Sequence, residues 1–197
     1  MTSEALSSGT PPRSFTAFIG SRRLAAGAPG EVALVVKRAL ERGDAGSILV
    51  FDDAEGRAVD LDLRGTDAEI AARFEKPEPE PEPRGRGRPK LGVMPREVTL
   101  LPRHWDWLAA QPGGASVALR RLVDAARRSN ADEDIRRAAR DAAYHFMAAM
   151  AGDLPGFEEA CRALFAGDEA RLLAQAADWP KDVRDHAFHI LHGGAAR

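Results

Sequence analysis

The sequence predicts an α+β fold, with a small sheet-and-helix module at the N-terminus, a proline-rich linker and a mostly α-helical C-terminal part. Strand-like and helix-like patterns alternate over residues 14–75. A Glu-Pro tract follows, and proline at every second position excludes both a helix and an inner strand there. Beyond it comes one short strand-like segment, and then apolar residues recur at the spacing of amphipathic helices.

Residues 1–13 are rich in Ser, Thr and Pro and predict a disordered lead-in, whereas residues 14–75 predict a small α+β domain. One helix is expected to begin at Pro29, because valines follow it at helical spacing, and to end at Gly43. Another is expected after Thr66, since Glu69 three residues later completes a capping box. The predicted strands cover residues 14–19, 23–25, 47–51 and 57–63, the last with alternating apolar and acidic side chains.

Residues 76–95 predict an extended linker in two parts. In the first part Glu and Pro alternate, and seven such residues in the polyproline II conformation span roughly 20 Å. The second part reads Arg-Gly-Arg-Gly-Arg-Pro-Lys at residues 84–90, and its core at 86–89 resembles the AT-hook. The resemblance implies a thin backbone that enters the minor groove, with arginines attracted by the negative potential there. A solvated basic linker is the alternative.

Residues 96–128 predict a strand at 97–101, a helix at 102–111, a Gly-Gly turn and a second helix with Ser116 as its N-cap. Following a basic arm, this order resembles a ribbon-helix-helix segment. The resemblance implies a homodimer, in which the single strand pairs with that of a partner and the ribbon enters the major groove. It also implies a phosphate held at the start of the second helix, near Ser116.

The candidate DNA-binding residues lie in the basic arm and in this segment. They are Arg84, Arg86, Arg88, Lys90, Arg96, Thr99, Arg103 and Ser116. Residues 84–103 carry six basic side chains and one carboxylate, a local net charge of +5. If Val98 and Leu100 face a core, Glu97 and Leu101 stand where a DNA-reading ribbon presents Arg, Lys, Asn or Gln. A strand used only for dimerisation, or a purely structural helical hairpin, is therefore the alternative.

Residues 129–192 predict a helical C-terminal region, with helices at 132–151, 155–165, 168–177 and 181–191. The whole chain has 197 residues, a hydrophobic content of 44% and a formal net charge of −2, which allow an ordinary core and argue against a wholly basic coat. The single cysteine, Cys161, excludes an intramolecular disulfide and a Cys-rich zinc site. We expect a cytoplasmic protein without a membrane segment, because the sequence has neither an 18-residue apolar run nor a signal-peptide core.

Three patterns in the sequence resemble enzyme-type sites. Asp52, Asp53, Asp60 and Asp62 offer oxygen ligands for a divalent metal, but turn and solvent-face roles fit them better. The histidines at 186, 189 and 192 spread over roughly 120° of a helix, which is too wide for a tight zinc pair. Cys161 with His145 or His186 lacks any local nucleophile signature. We therefore expect no catalytic residue, no metal and no cofactor.

Taken as a whole, residues 14–192 resemble the bacterial domain-of-unknown-function family 2239. The resemblance rests on Phe-Thr-Ala-Phe at 15–18, Val-Phe-Asp-Asp at 50–53, Val-Asp-Leu-Asp-Leu at 59–63, residues 87–92 and 96–105, and Trp-Pro-Lys-Asp-Val-Arg at 179–184. It implies no activity. The function predicted from the residues is DNA binding by a homodimer, and the alternative is a protein-interaction or antitoxin-like module with no DNA contact.

Overall fold

The computed structural model describes residues 13–44, 46–74 and 96–193. The chain divides into two compact units, one made of residues 1–76 and 135–197 and the other of residues 77–134. The lead-in up to residue 12 and the whole linker at 76–95, including the basic arm at 84–90, lie outside the described residues. Within the described part, no helix is both long and apolar enough to cross a membrane.

The first unit is built on a four-stranded antiparallel sheet in the order β2-β1-β3-β4. The predicted α+β class is confirmed. Strand β1 is buried along its whole length, as expected for a central strand rich in aromatic and β-branched residues. The strands are β1 (Phe15–Ile19), β2 (Arg22–Gly27), β3 (Ile48–Asp52) and β4 (Arg57–Ala58).

One face of the sheet is covered by α1 (Pro29–Glu41), on which α2 (Asp67–Phe74) packs. Phe15 and Val50 from the sheet meet Val32 and Val36 of α1 in a small apolar core. The predicted capping box is present at the start of α2. The backbone N–H of Thr66 donates to Glu69 Oε2 at 2.7 Å, and the backbone N–H of Glu69 donates to Thr66 Oγ1 at 3.3 Å.

The other face of the sheet carries the larger core, formed with the C-terminal end of α4 (Gly114–Ala151), α5 (Phe157–Ala166), α6 (Glu169–Gln175) and α7 (Lys181–Leu191). At its centre Phe18 of β1 and Phe51 of β3 pack against Phe146 of α4, with ring centroids 4.9–6.1 Å apart. Because side chains alternate across a strand, neighbouring residues of β1 and β3 serve the two cores.

The predicted strand at residues 57–63 is only partly formed. Backbone pairing with β3 includes Arg57 and Ala58, and the Val59 N–H still donates to Val50 O at 2.8 Å, after which no strand is assigned. The alternation of the sequence is nevertheless expressed in burial. Val59, Leu61 and Leu63 pack against the smaller core, while Asp60 and Asp62 are exposed. The apolar alternation therefore predicted correctly which side chains of this segment face the core, but it did not predict where the backbone hydrogen bonds to β3 end.

The second unit is described over residues 96–134. Residues 96–101 precede α3 (Pro102–Ala109), and a turn containing Gly113, at φ +86°, leads into the first part of α4. Only Leu108 and Ala118 are buried among its apolar side chains. The unit therefore has a very small core of its own.

Two helix predictions for this region are wrong. The helices expected up to residue 128 and from residue 132 form one continuous helix of 38 residues, α4. Ser129 and Asn130 lie inside it, because such residues cost a helix interior only up to about 0.7 kcal/mol each. Ser116 is not an N-cap, since α4 already begins at Gly114 and Ser116 lies inside its first turn.

Candidate functional site

The predicted DNA-binding residues fall into two groups. Arg84, Arg86, Arg88 and Lys90 lie outside the described residues, so no geometry is assigned to them. The other predicted residues belong to the second unit, and all of their side chains are exposed. These are Arg96, Thr99, Arg103 and Ser116.

The segment that leads into α3 is not the strand that was predicted. No regular secondary structure is assigned at residues 96–101, and Val98 is 56% exposed, whereas Leu100 is half-buried. A strand exists only where a neighbouring strand exchanges backbone hydrogen bonds with it. The described residues of the second unit contain no such neighbouring strand. The segment ends at Leu101, whose extended backbone (φ −67°, ψ 150°) precedes Pro102 at the start of α3.

Both helix starts in the second unit present hydrogen-bonding groups close to the predicted residues. Arg103 lies in the first turn of α3, directly after Pro102. At the start of α4, the Gly114 N–H donates to Gln111 O at 2.9 Å, and Arg120 Nε donates to Ser116 O at 3.1 Å. The Ser116 hydroxyl is exposed beside these groups. The first turn of α4 carries N–H groups of the kind that have no intrahelical acceptor.

Positive charge dominates the exposed surface of residues 96–128. Six arginines and three carboxylates lie there, and every one of them is exposed. Among the described residues, none of these arginines forms an ion pair. Their charges are therefore not neutralised by neighbours in the second unit. The arginines are Arg96, Arg103, Arg120, Arg121, Arg127 and Arg128, and the carboxylates are Glu97, Asp106 and Asp124.

Large apolar side chains are also exposed in the second unit. Trp105 is 41% exposed and Trp107 is 53% exposed, although tryptophan is normally well buried. Four aliphatic residues of the 96–101 segment and of α4 are also exposed, namely Val98, Leu101, Leu122 and Val123. Such residues are concentrated on the second unit, in which only Leu108 and Ala118 are buried among the described apolar side chains.

The first unit contains a different feature, a buried polar cluster between the sheet and α7. Asp53 follows β3, and its Oδ2 accepts from Ser14 Oγ at 2.7 Å and from Thr16 Oγ1 at 3.1 Å. Its Oδ1 lies 3.3 Å from Nε2 of His186, an ion-pair distance. No hydrogen bond reaches Asp53 Oδ1 or either ring nitrogen of His186 from the described residues. His186 is 1% exposed and packs between the rings of Phe18 and Phe146.

The electrostatics of this cluster favour a charged carboxylate. Burial acts to raise the pKa of Asp53, but the interactions with His186, Ser14 and Thr16 together outweigh it, so the pKa lies below its ordinary value. His189 stacks on His186 with ring centroids 5.8 Å apart. Burial and the neighbouring His186 lower the pKa of His189, with Arg23 acting in the same direction and Asp53 against it. The arrangement can hold a charge at a place where His186 is almost completely buried.

The aspartates and the cysteine considered for enzyme-type sites have other roles in the structure. Asp52 binds Arg13 and caps its own turn through the Ala54 N–H, whereas Asp62 pairs with Arg64. In the described part of the chain, no three His, Cys, Asp or Glu side chains approach closely enough to hold a metal ion. Burial and the charge of Glu158 raise the pKa of Cys161, which is the wrong direction for a nucleophilic thiolate.

The sequence did not predict that Asp53 meets His186, although one signal was present. Val183, His186, Ala187 and Ile190 share the spacing of one buried face of α7, so a histidine on that face requires a polar partner. His145 is a second residue whose place was not foreseen. Its Nδ1 lies 3.0 Å from Glu55 O and its Nε2 lies 2.9 Å from a guanidinium nitrogen of Arg57, which fits a neutral ring that donates from Nδ1.

Comparison with known proteins gives one family. Residues 14–191 match the model of a family described as an uncharacterized protein conserved in bacteria (DUF2239), and the chain belongs to that family. No curated protein and no solved structure matches the chain. The resemblance stated from the motifs is therefore confirmed, whereas the AT-hook and ribbon-helix-helix resemblances stay predictions.

Proposed function

We propose that this member of an uncharacterized bacterial family is a DNA-binding protein that acts as a homodimer in the cytoplasm. The observation that carries the proposal is the set of six exposed arginines at residues 96–128, which have no ion-pair partner among the described residues. Uncompensated guanidinium groups on one small unit are suited to phosphate, because each contact releases counterions from the duplex. The basic arm at residues 84–90 adds four positive charges directly before them.

In the proposed complex the residues have different tasks. Arg84, Arg86, Arg88 and Lys90 follow the minor groove or its phosphates, and glycines between the arginines permit close approach of the backbone. Arg96 and Arg103 contact phosphates on either side of the 97–101 segment. Thr99 has a side chain that can reach a base edge, and Ser116 donates to a phosphate at the start of α4. Most of the binding energy is then electrostatic and weakly dependent on DNA sequence.

The unpaired backbone of residues 97–101 in the second unit supports the proposed homodimer. Residues 97–101 have no strand partner among the described residues, and the same segment of a second chain supplies one by antiparallel pairing. On the ribbon face opposite Glu97, Thr99 and Leu101, Val98 would be covered by the helices of the two chains, whereas it is 56% exposed in the single chain. A strand that forms only between two chains explains why the single chain shows a well-formed α3 but no strand before it.

Glu97 and the two exposed tryptophans favour a second candidate function, a protein-interaction or antitoxin-like module. Glu97 repels phosphate from the segment that would enter the major groove. Aromatic side chains such as Trp107 are common anchors of protein interfaces. In that case the basic arm serves as a tether, and the purified homodimer has no affinity for DNA.

The test is a comparison of two double variants in fluorescence-anisotropy titrations with a fixed duplex. Arg96→Ala with Arg103→Ala removes two proposed phosphate contacts, and the affinity should fall while the salt dependence becomes shallower by about 0.9 per lost contact. Arg22→Ala with Arg38→Ala removes the same charge from exposed positions of the first unit and should leave binding nearly unchanged. Equal losses in both variants would refute a specific role for the second unit.

A further inference from the structure

A pocket of about 190 Å³ lies within the first unit, away from the buried Asp53–His186 cluster. It is formed by the C-terminal half of α4 together with α5, α6 and α7. Its lining combines two arginines, two carboxylates and an apolar part. The arginines are Arg136 and Arg140, the carboxylates are Asp168 and Glu169, and the apolar part includes Ala163, Leu164, Leu172 and Leu191.

The two arginines of the pocket have no partner in the described part of the chain. Arg136 and Arg140 are one helical turn apart on α4, so their side chains lie on the same face. Neither forms an ion pair or hydrogen bond with a described residue. Arg140 is also half-buried, so its charge is not freely hydrated. Two adjacent guanidinium groups at a concave surface form a suitable receptor for a carboxylate.

The two carboxylates of the pocket come from the start of α6. Asp168 uses Oδ1 to accept the Arg171 N–H at 2.9 Å and thereby caps that helix. Its Oδ2 has no hydrogen-bond donor among the described residues. Glu169 faces His192, whose Nε2 is 3.3 Å from both of its oxygens. Asp168 Oδ2 is thus the negative group of the pocket that can accept from a ligand cation.

The apolar part of the lining sets the size of the ligand. Leu164 and Leu172, each 2% exposed, line the pocket together with Ala163 and Leu191. An apolar cavity of about 150 Å³ accommodates a benzene ring, so a pocket of about 190 Å³ accommodates a side chain of similar bulk. The lining has equal numbers of positive and negative groups, which disfavours a simple anion and favours a molecule that carries both charges.

We propose that this pocket binds a free α-amino acid with a compact apolar side chain. The ligand carboxylate accepts from the guanidinium groups of Arg136 and Arg140, and its ammonium group donates to Asp168 Oδ2. The apolar side chain contacts Leu164, Leu172 and Leu191. The pocket is independent of the proposed DNA contact, because all the described residues that line it belong to the first unit.

Isothermal titration calorimetry of the full chain with L-leucine tests the proposal. L-leucinamide lacks the carboxylate and 4-methylpentanoate lacks the ammonium group, and each should bind at least about tenfold more weakly than L-leucine. Absence of binding by L-leucine up to roughly ten millimolar would overturn the proposal. So would 4-methylpentanoate binding as tightly as L-leucine, because the ammonium group would then have no partner.

Three variants connect the binding to the named residues. Arg140→Gln should weaken L-leucine binding by about tenfold or more, because a charge-assisted hydrogen bond is lost. Asp168→Asn should have a similar effect without unfolding α6, since Asn is as good an N-cap as Asp. Arg121→Gln, an exposed arginine of α4 outside the pocket, should bind as the unchanged chain does. Unchanged affinity in both pocket variants would refute the assignment.

Discussion

Nε2 of His186 lies 3.3 Å from Oδ1 of Asp53, with His186 1% exposed and the Asp53 side chain 9% exposed. This contact joins α7 to the end of β3, two elements that are far apart in the sequence. A second contact joins α7 to β2, because the Arg23 N–H donates to Asp182 Oδ2 at 2.8 Å. The polar cluster therefore fixes how the C-terminal helix lies on the sheet within the first unit.

Replacement of His186 should destabilise the first unit strongly. In His186→Ala the buried Asp53 carboxylate loses the ring nitrogen that lies 3.3 Å from its Oδ1, and a cavity opens beside Phe18 and Phe146. Removing one partner of a buried pair costs about 3–5 kcal/mol in the free energy of unfolding. Urea denaturation followed by circular dichroism measures this loss. His189→Ala, at a half-exposed neighbour, should cost only about 1 kcal/mol, and equal losses would show that the buried pair contributes little.

Stability should decrease as the pH falls below about 6.5. The pKa of His189 is lowered from 6.5 in the folded chain, so the unfolded chain takes up this proton first and folding loses free energy as the pH drops. The pKa of Asp53 is also lowered, and its contribution is present above 3.8 and lost as the pH falls through the lowered value. His189→Gln should flatten the decrease between about pH 7 and pH 5, measured by urea denaturation at each pH. If the free energy of unfolding of His189→Gln decreased with falling pH as steeply as that of the unchanged chain, His189 would not be the cause of the decrease.

Gly56 should tolerate no side chain. It has φ +64°, and a Cβ built there would overlap the carbonyl of Ala142 on α4. Gly43 has a similar φ of +70° but open space around it, so it separates backbone strain from steric overlap. Gly43→Ala should cost about 1 kcal/mol and Gly56→Ala roughly 3 kcal/mol or more in the free energy of unfolding. Equal costs in chemical denaturation would show that the turn can move away from α4.

The proposed homodimer should depend on Val98. Truncation to alanine removes an exposed apolar side chain from the 97–101 segment, and the dimer should dissociate at higher protein concentration than the unchanged chain does. Light scattering after size-exclusion chromatography over a concentration series measures the change. Leu40→Ala, at a residue 55% exposed in the first unit, is the matched control. A monomer at every concentration in the unchanged chain would contradict the homodimer itself.

Local signals were sufficient for much of the fold. The capping box of Thr66 and Glu69 needs only residues within one helical turn, and it was predicted correctly. The bounds of α7 at Lys181 and Leu191 follow from Pro180 before it and from its apolar periodicity, and they match the prediction.

The errors arose where distant partners decide the structure. Whether residues 59–63 form a strand depends on a neighbouring strand that extends alongside them, which apolar alternation does not reveal. Two separate helices were predicted on either side of residues 129–131, but α4 continues through them as one helix. The contact of Asp53 with His186 requires the packing of α7 on the sheet, so no local spacing predicts it.

Fluorescence anisotropy of the purified chain with A/T-rich and G/C-rich duplexes at two salt concentrations tests the proposed DNA binding most directly. We predict binding that weakens steeply with salt and favours the A/T-rich duplex, because arginines of the arm at 84–90 are attracted to a narrow minor groove. Absence of binding to either duplex at low salt would contradict DNA binding. The second unit would then be assigned to binding a protein partner.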